Sequence, residues 1–274
     1  MRDILAYTGS YAAWSRGPAY AAHLAAALDA ALTGLYVAPS PMALMQAYET
    51  PELTTYVLEG IRDLVESASA AGPAFVRWAG EHGVTKAAWQ VAAGDAPSVL
   101  GHIGNWHDLL VLERTSAPEA SVAELGRIAL SVEIPCLVVP PQGALSSAPE
   151  CIAVAWNGSP EAIRAIHAAR PLLARAGRVV VLSGAQRKAL TEIDWKPEFD
   201  LGVYLRRHGI YAEERPLLAS DEEAGAALLA AAAEVGAGLL VMGAYGRTRF
   251  SEWFFGGATR HVLNHAGIPV VMRH

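Results

Sequence analysis

Short apolar runs of strand length alternate with helix-length segments along the whole chain, and the alternation passes through the same order twice. Such a pattern belongs to βα units around a mainly parallel sheet. The first pass predicts strands at Ile4–Tyr7, Thr33–Val37, Thr85–Val91, Leu109–Glu113 and Cys136–Val139. Helices are predicted between them over Pro18–Leu32, Pro51–Glu81, Pro97–Ile103 and Ser121–Leu130. The second pass predicts strands at Ile152–Trp156, Arg178–Leu182, Ile210–Glu214, Leu239–Met242 and Val270–Met272. Its helices cover Pro160–Ala174, the region around Pro197–Arg207, Glu222–Val235 and Gly257–Asn264.

Three local echoes keep their order between the passes. Ala6-Tyr7-Thr8-Gly9-Ser10 matches Ala155-Trp156-Asn157-Gly158-Ser159, Leu109-Leu110-Val111-Leu112 matches Leu239-Leu240-Val241-Met242, and Ile134-Pro135-Cys136 matches Ile268-Pro269-Val270. The expected fold is therefore α/β, two repeated open five-stranded sheets with helices on both faces. The Pro-, Gly- and Ser-rich stretch from Pro140 to Pro149 has no periodicity and marks the boundary between domains at 1–144 and 150–274.

Composition narrows the function classes. With 53% apolar and 18% charged residues the chain is globular and not disordered. A net charge of −6 and the lack of dense Lys/Arg blocks disfavour nucleic acid as a partner. The apolar stretch Ala224 to Ala244 carries Glu234 near its middle and is cut by Gly236 and Gly238, so it reads as a helix followed by a strand and not as a membrane span. No secretion signal is apparent at the start of the sequence. Cys136 and Cys151 sit in apolar runs and read as buried thiols of a reducing, cytoplasmic compartment; an interdomain disulfide or a redox-sensitive thiol is the competing reading.

The segment from Gly243 to Thr259 carries the most chemistry. It follows the fourth strand of the second pass, where an open parallel sheet has its ligand crevice. Gly256 and Gly257 precede the last helix, where missing β-carbons let a phosphate reach backbone amides and the positive end of the helix dipole. Ala258 follows, Thr259 adds a hydroxyl, Gly243 and Gly246 shape the turn, and Arg247 or Arg249 can offset phosphate charge. No Walker A sequence and no G-x-G-x-x-G are present. Ordinary turn and helix-start glycines are the plainer alternative.

The spacing Gly243, Gly246, Gly256 is G-x2-G-x9-G, and with Arg247, Thr259 and the ending Ile268-Pro269-Val270-Val271 it resembles the universal stress protein family in its tandem form. The resemblance implies a second domain that binds ATP or a related adenine nucleotide, with Mg2+ as an accompanying ion, through Trp156, Asn157, Leu182, Gly243, Gly246, Arg247, Gly256, Gly257, Ala258 and Thr259. It also implies a sensor or regulatory role in stress adaptation, pairing of the two domains as a pseudo-dimer through their last strands, and a homodimer as a further assembly. Two positions depart from the family. Gly257 replaces the usual Ser or Thr, and Asn157 replaces the usual Asp, although Asn157-Gly158-Ser159-Pro160 also reads as a simple turn and helix cap.

The first domain has Thr8 at the Asp position and Glu113 where the second has Gly243, so it reads as a partner without the phosphate cradle. No catalytic residue is assigned. The histidines lack a recognisable setting, and the i, i+4 pair His261 and His265 has no placed carboxylate, so no metal is expected. Trp253, Phe254 and Phe255 read as packing or interface residues. The rival readings are a slow nucleotide hydrolase, for which Glu252 is the one carboxylate in the loop, and a non-binding structural or protein-interaction module.

Overall fold

The structure is a computed structural model of the chain, and it describes residues 1–40, 51–115, 118–143, 145–146, 148–184, 200–244 and 257–274. The chain divides into two compact units, Met1–Pro141 and Gln142–His274.

In the first unit the order is β1 (Asp3–Thr8), α1 (Arg16–Leu28), β2 (Ala31–Ala38), α2 (Pro51–Ala70), α3 (Gly72–Glu81), β3 (Ala87–Ala93), α4 (Ala96–Ile103), β4 (Leu109–Glu113), α5 (Pro118–Ser131) and β5 (Cys136–Val139). A 3-10 turn, Gly104–Trp106, joins α4 to β4. The strands lie in the order β3-β2-β1-β4-β5 and all pairs are parallel.

The second unit runs β6 (Cys151–Trp156), α6 (Pro160–Leu173), β7 (Arg178–Ser183), α7 (Leu201–Arg207), β8 (Ala212–Pro216), α8 (Ala224–Glu234), β9 (Leu239–Gly243), α9 (Gly257–His265) and β10 (Val270–Arg273). Its order, β10-β9-β6-β7-β8, is the same arrangement strand for strand, again parallel throughout. Right-handed crossovers that leave the first strand in opposite directions put helices on both faces of each sheet. Central strands such as β4 and β6 are therefore almost wholly buried, as both-face coverage requires. The outer strand β8 is mostly exposed and carries Glu213, Glu214 and Arg215, charges that blunt a sheet edge.

Several boundaries differ from the sequence expectation, each for a local reason. The helix predicted to Leu32 stops at Leu28, because Asp29 takes a left-handed conformation (φ 52°) and Ala30 donates back to the Ala25 carbonyl. The single helix predicted over Pro51–Glu81 breaks at Ala71, where the Gly72-Pro73 pair restarts the chain as α3. Both outer strands begin two residues later than predicted. Ile210, the predicted start of one, instead closes a helix end, its amide donating to Leu205 after the left-handed Gly209; Val84, next to the predicted start Thr85 of the other, closes a helix end in the same way, donating to Ala79 after the left-handed Gly83.

Ala224 to Ala244 forms α8 and β9, and no described helix is long and apolar enough to cross a membrane. Both cysteines are buried free thiols.

Candidate functional site

A cavity of 320 Å³ opens at the carboxyl ends of β6, β7 and β9, and the first turns of α6 and α9 also line it. This is the point at which the connections from neighbouring strands part in opposite directions, the usual place for a ligand in an open parallel sheet.

The segment after β6 is held by two local bonds. The Ser159 amide donates to Asn157 Oδ1 at 3.1 Å, closing a turn through the left-handed Gly158 (φ 71°). The Ser159 hydroxyl accepts from the Ala162 amide at 3.2 Å and caps α6, with Pro160 and Glu161 in the first turn. The turn-and-cap reading of this segment is thus realised, and Asn157 also lines the cavity.

The two described glycines of the loop have different structural reasons. A β-carbon on Gly243 would stand 2.5 Å from the Ala162 nitrogen and 2.9 Å from Glu161 Cβ, so α6 packs directly on this position. A β-carbon on Gly257 would meet no described residue within 4 Å, and Gly257 lines the cavity at the N-terminus of α9. Thr259 is 95% buried and lines the same space, and among the described residues its hydroxyl has no partner.

Of the residues named from the sequence, Trp156, Asn157, Leu182, Gly243, Gly257, Ala258 and Thr259 all line this one cavity. Gly246, Arg247 and Gly256 lie outside the described residues, as do Arg249, Glu252, Trp253, Phe254 and Phe255. Sequence reasoning missed Glu161, on the first turn of α6, and Leu217 and Asp221, which follow β8. Asp221 had a signal in the repeat itself, since Ala219-Ser220-Asp221 matches Ala93-Gly94-Asp95. Among the described lining residues the charged groups are the carboxylates Glu161 and Asp221, so a phosphate here needs a cation from elsewhere.

The matching place in the first unit is filled by its own side chains. Glu113 stands where the second unit has Gly243, and its Oε2 accepts from the Gly17 amide at 2.8 Å and from the Ser15 hydroxyl. Gly17 in turn stands where the second unit has Glu161; a β-carbon there would lie 2.9 Å from Glu113 Cβ. The two units have exchanged Gly and Glu between strand end and helix start. Tyr36, in the place of Gly184, meets Tyr11 edge-on at 5.2 Å. The Tyr7 hydroxyl is pushed up to about 12, by burial first and by nearby Glu124 and Tyr36 after it.

His261 and His265 stack with ring centres 4.3 Å apart, and His265 Nδ1 is 2.9 Å from the His261 carbonyl. No group of three or more His, Cys, Asp or Glu able to hold a metal occurs among the described residues.

A duplicated open parallel α/β unit, with a cavity beyond the strand ends of its second copy, defines the class. Residues 150–274 match the model of the universal stress protein family. The second unit therefore belongs to that family, and the whole chain carries its fold in tandem. Among solved structures the chain is similar to a universal stress protein from Archaeoglobus fulgidus DSM 4304, at 15% identity and a TM-score of 0.72, covering 99% of this chain and 96% of that one. It is also similar to a putative universal stress protein from Pseudomonas aeruginosa UCBPP-PA14, at 15% identity and a TM-score of 0.56, covering 99% and 92%. No curated protein matches the chain.

Proposed function

We propose that the second unit binds a nucleotide in this cavity, and that the chain acts as a sensor or regulatory module in stress adaptation. ATP or a related adenine nucleotide, carried with Mg2+, is the ligand the family points to. The observation that carries the reading is the pairing of the α9 start at Gly257 with the side chain of Thr259, whose hydroxyl has no partner among the described residues, in one cavity. Backbone amides at a helix start and a hydroxyl are phosphate ligands. The two buried free thiols fit a reducing cytoplasm.

Calorimetric titration of the full chain with ATP, ADP, AMP and GTP, with and without Mg2+, tests this directly. Gly257→Val fills the space against the helix start and abolishes binding on this reading; unchanged affinity in a folded variant refutes it. Binding without efficient chemistry is the expected behaviour. Steady-state turnover above roughly 1 per second would make the protein an enzyme instead, with Glu161 and Asp221 as the first carboxylates to replace.

A further inference from the structure

We infer that residues 217–223 form a strap that closes over the occupied cavity, Asp221 turning from its rim to cap α8, an inference that rests on the cavity being a nucleotide site. Leu217, Ala219 and Asp221 line the cavity. The first unit holds the same segment in another state. There β3 keeps its pairing with β2 through Ala93, and the Asp95 carboxylate accepts from the Ser98 amide at 3.2 Å, so that α4 begins at Ala96. In the second unit β8 stops at Pro216, the counterpart of Gln90, and residues 217–220 belong to no strand. Helix α8 begins at Ala224, the counterpart of Ser98, not at Glu222, the counterpart of Ala96, and it has no side-chain cap. Asp221, the counterpart of Asp95, has no hydrogen bond or ion pair among the described residues and stands at the cavity instead.

The local sequence asks for the closed form. An aspartate followed by two glutamates is a favourable helix start, a capping carboxylate with acidic residues in the first turn, and it sets the expected start of this helix at Glu222. The structure has a turn over Asp221, Glu222 and Glu223 instead. The Ser220 hydroxyl holds that turn, accepting from the Glu223 amide at 3.3 Å and donating to the Glu223 carboxylate at 2.8 Å. Pro97 pins the start of α4, whereas Glu223 in its place lets α8 take either start. What fills each cavity decides between the two forms. In the first unit Tyr36 meets Tyr11 and stands beside Val91 in the sheet register, so the segment borders a filled space. The second unit has Gly184 in the place of Tyr36, and Leu217, the counterpart of Val91, borders the cavity. A bound base supplies the missing ring, and phosphates repel the Asp221 carboxylate from the rim toward the first amides of α8, where a negative charge is favoured. A ligand that binds the closed form better shifts the segment toward it. Leu218, 96% exposed, lies in the strap, so closure moves an apolar side chain on the surface and makes occupancy readable from outside.

The experiment follows the 13Cα shifts of Glu222 and Glu223, which do not line the cavity, in the full chain as ATP is added in Mg2+ buffer to a saturation fixed by calorimetry. Both are expected to move to helical values as the cavity fills, and the Ala224 amide to exchange about tenfold more slowly, a typical gain from a cap. Asp221→Ala, at its own saturating ATP, is expected to lose both changes. Shifts unmoved in the saturated wild type, helical values already present without ATP, or an equal movement in Asp221→Ala overturns the strap and leaves the nucleotide site standing. Absence of saturable binding by the wild type is a separate result that removes the nucleotide reading and the strap together. The wild-type shifts decide the matter even where the variant does not fold.

Discussion

A β-carbon on Gly243 would stand 2.5 Å from the backbone nitrogen of Ala162, closer than such atoms ever approach. The last residue of β9 and the first turn of α6 are thus in backbone contact, and the floor of the cavity is set by that contact. Gly243→Ala must push α6 away from the sheet and is expected to cost roughly 1–3 kcal/mol, the range for overpacking a tight site. Gly257→Ala, with no described residue within 4 Å of the added β-carbon, is expected to change stability by less than about 0.5 kcal/mol. Denaturant titration of the two variants checks the contrast; equal losses would contradict it.

Glu161 and Asp221 make the described wall of the cavity acidic, so phosphate and wall repel unless a cation stands between them. ATP is expected to bind more weakly when Mg2+ is removed, and Glu161→Gln to reduce that dependence several-fold. Titrations of both proteins in EDTA and in Mg2+ measure it. An identical Mg2+ dependence in the variant would show that Glu161 does not face the phosphates.

Cys136 is 99% buried in β5, and burial pushes its thiol up to about 12. Since the thiolate is the reactive species, the folded protein at pH 8 is expected to leave Cys136 unmodified by a disulfide reagent, and the same protein in guanidinium to react fully. Mass analysis after brief labelling gives the answer. Rapid modification in the native state would mean that β5 opens readily.

Asp95 caps α4, accepting from the Ser98 amide at 3.2 Å and the Ser98 hydroxyl at 2.9 Å, and it pairs with Arg127 at 3.0 Å. The Ser98 hydroxyl foremost holds its carboxyl below the usual value; burial, the next largest influence, opposes it, and the Ser98 amide and Arg127 add to the lowering. A carboxyl lowered by folding takes up its proton more readily in the unfolded chain. Its contribution is present above the unfolded value and is lost as pH falls through the folded one. The difference in Tm between wild type and Asp95→Asn is therefore expected to be largest near neutrality and to shrink below about pH 4. A gap that stays constant with pH would separate Asp95 from acid stability.

Legibility in the sequence followed how local each cause was. Leu109–Glu113 and Cys136–Val139 were readable to the residue, because a strand buried on both faces is a plain apolar run. The starts of β3 and β8 were not: Ile210 serves a helix end while looking like a strand residue, and the predicted start Thr85 directly follows Val84, which closes a helix end in the same way, a use that hydrophobicity alone does not reveal. At the site, glycine spacing pointed to Gly243 and Gly257. It gave no hint that the first is required by α6 and the second meets no described residue, since that distinction arises only when distant segments meet. Glu161 was missed for the same reason: a first-turn glutamate is an ordinary helix-start residue until β9 brings a cavity against it.

The exchange of Gly17 and Glu113 for Glu161 and Gly243 ties two positions of each repeat to one another. Starting from the first unit, a side chain at Gly17 has no room while Glu113 is in place, and loss of Glu113 alone leaves the Gly17 amide and the Ser15 hydroxyl without their acceptor. A side chain at the helix start therefore requires a small residue at the strand end, the arrangement the second unit has. The strand end and the helix start of each repeat thus act as one coupled pair, so that a side chain at either place sets what the other can carry.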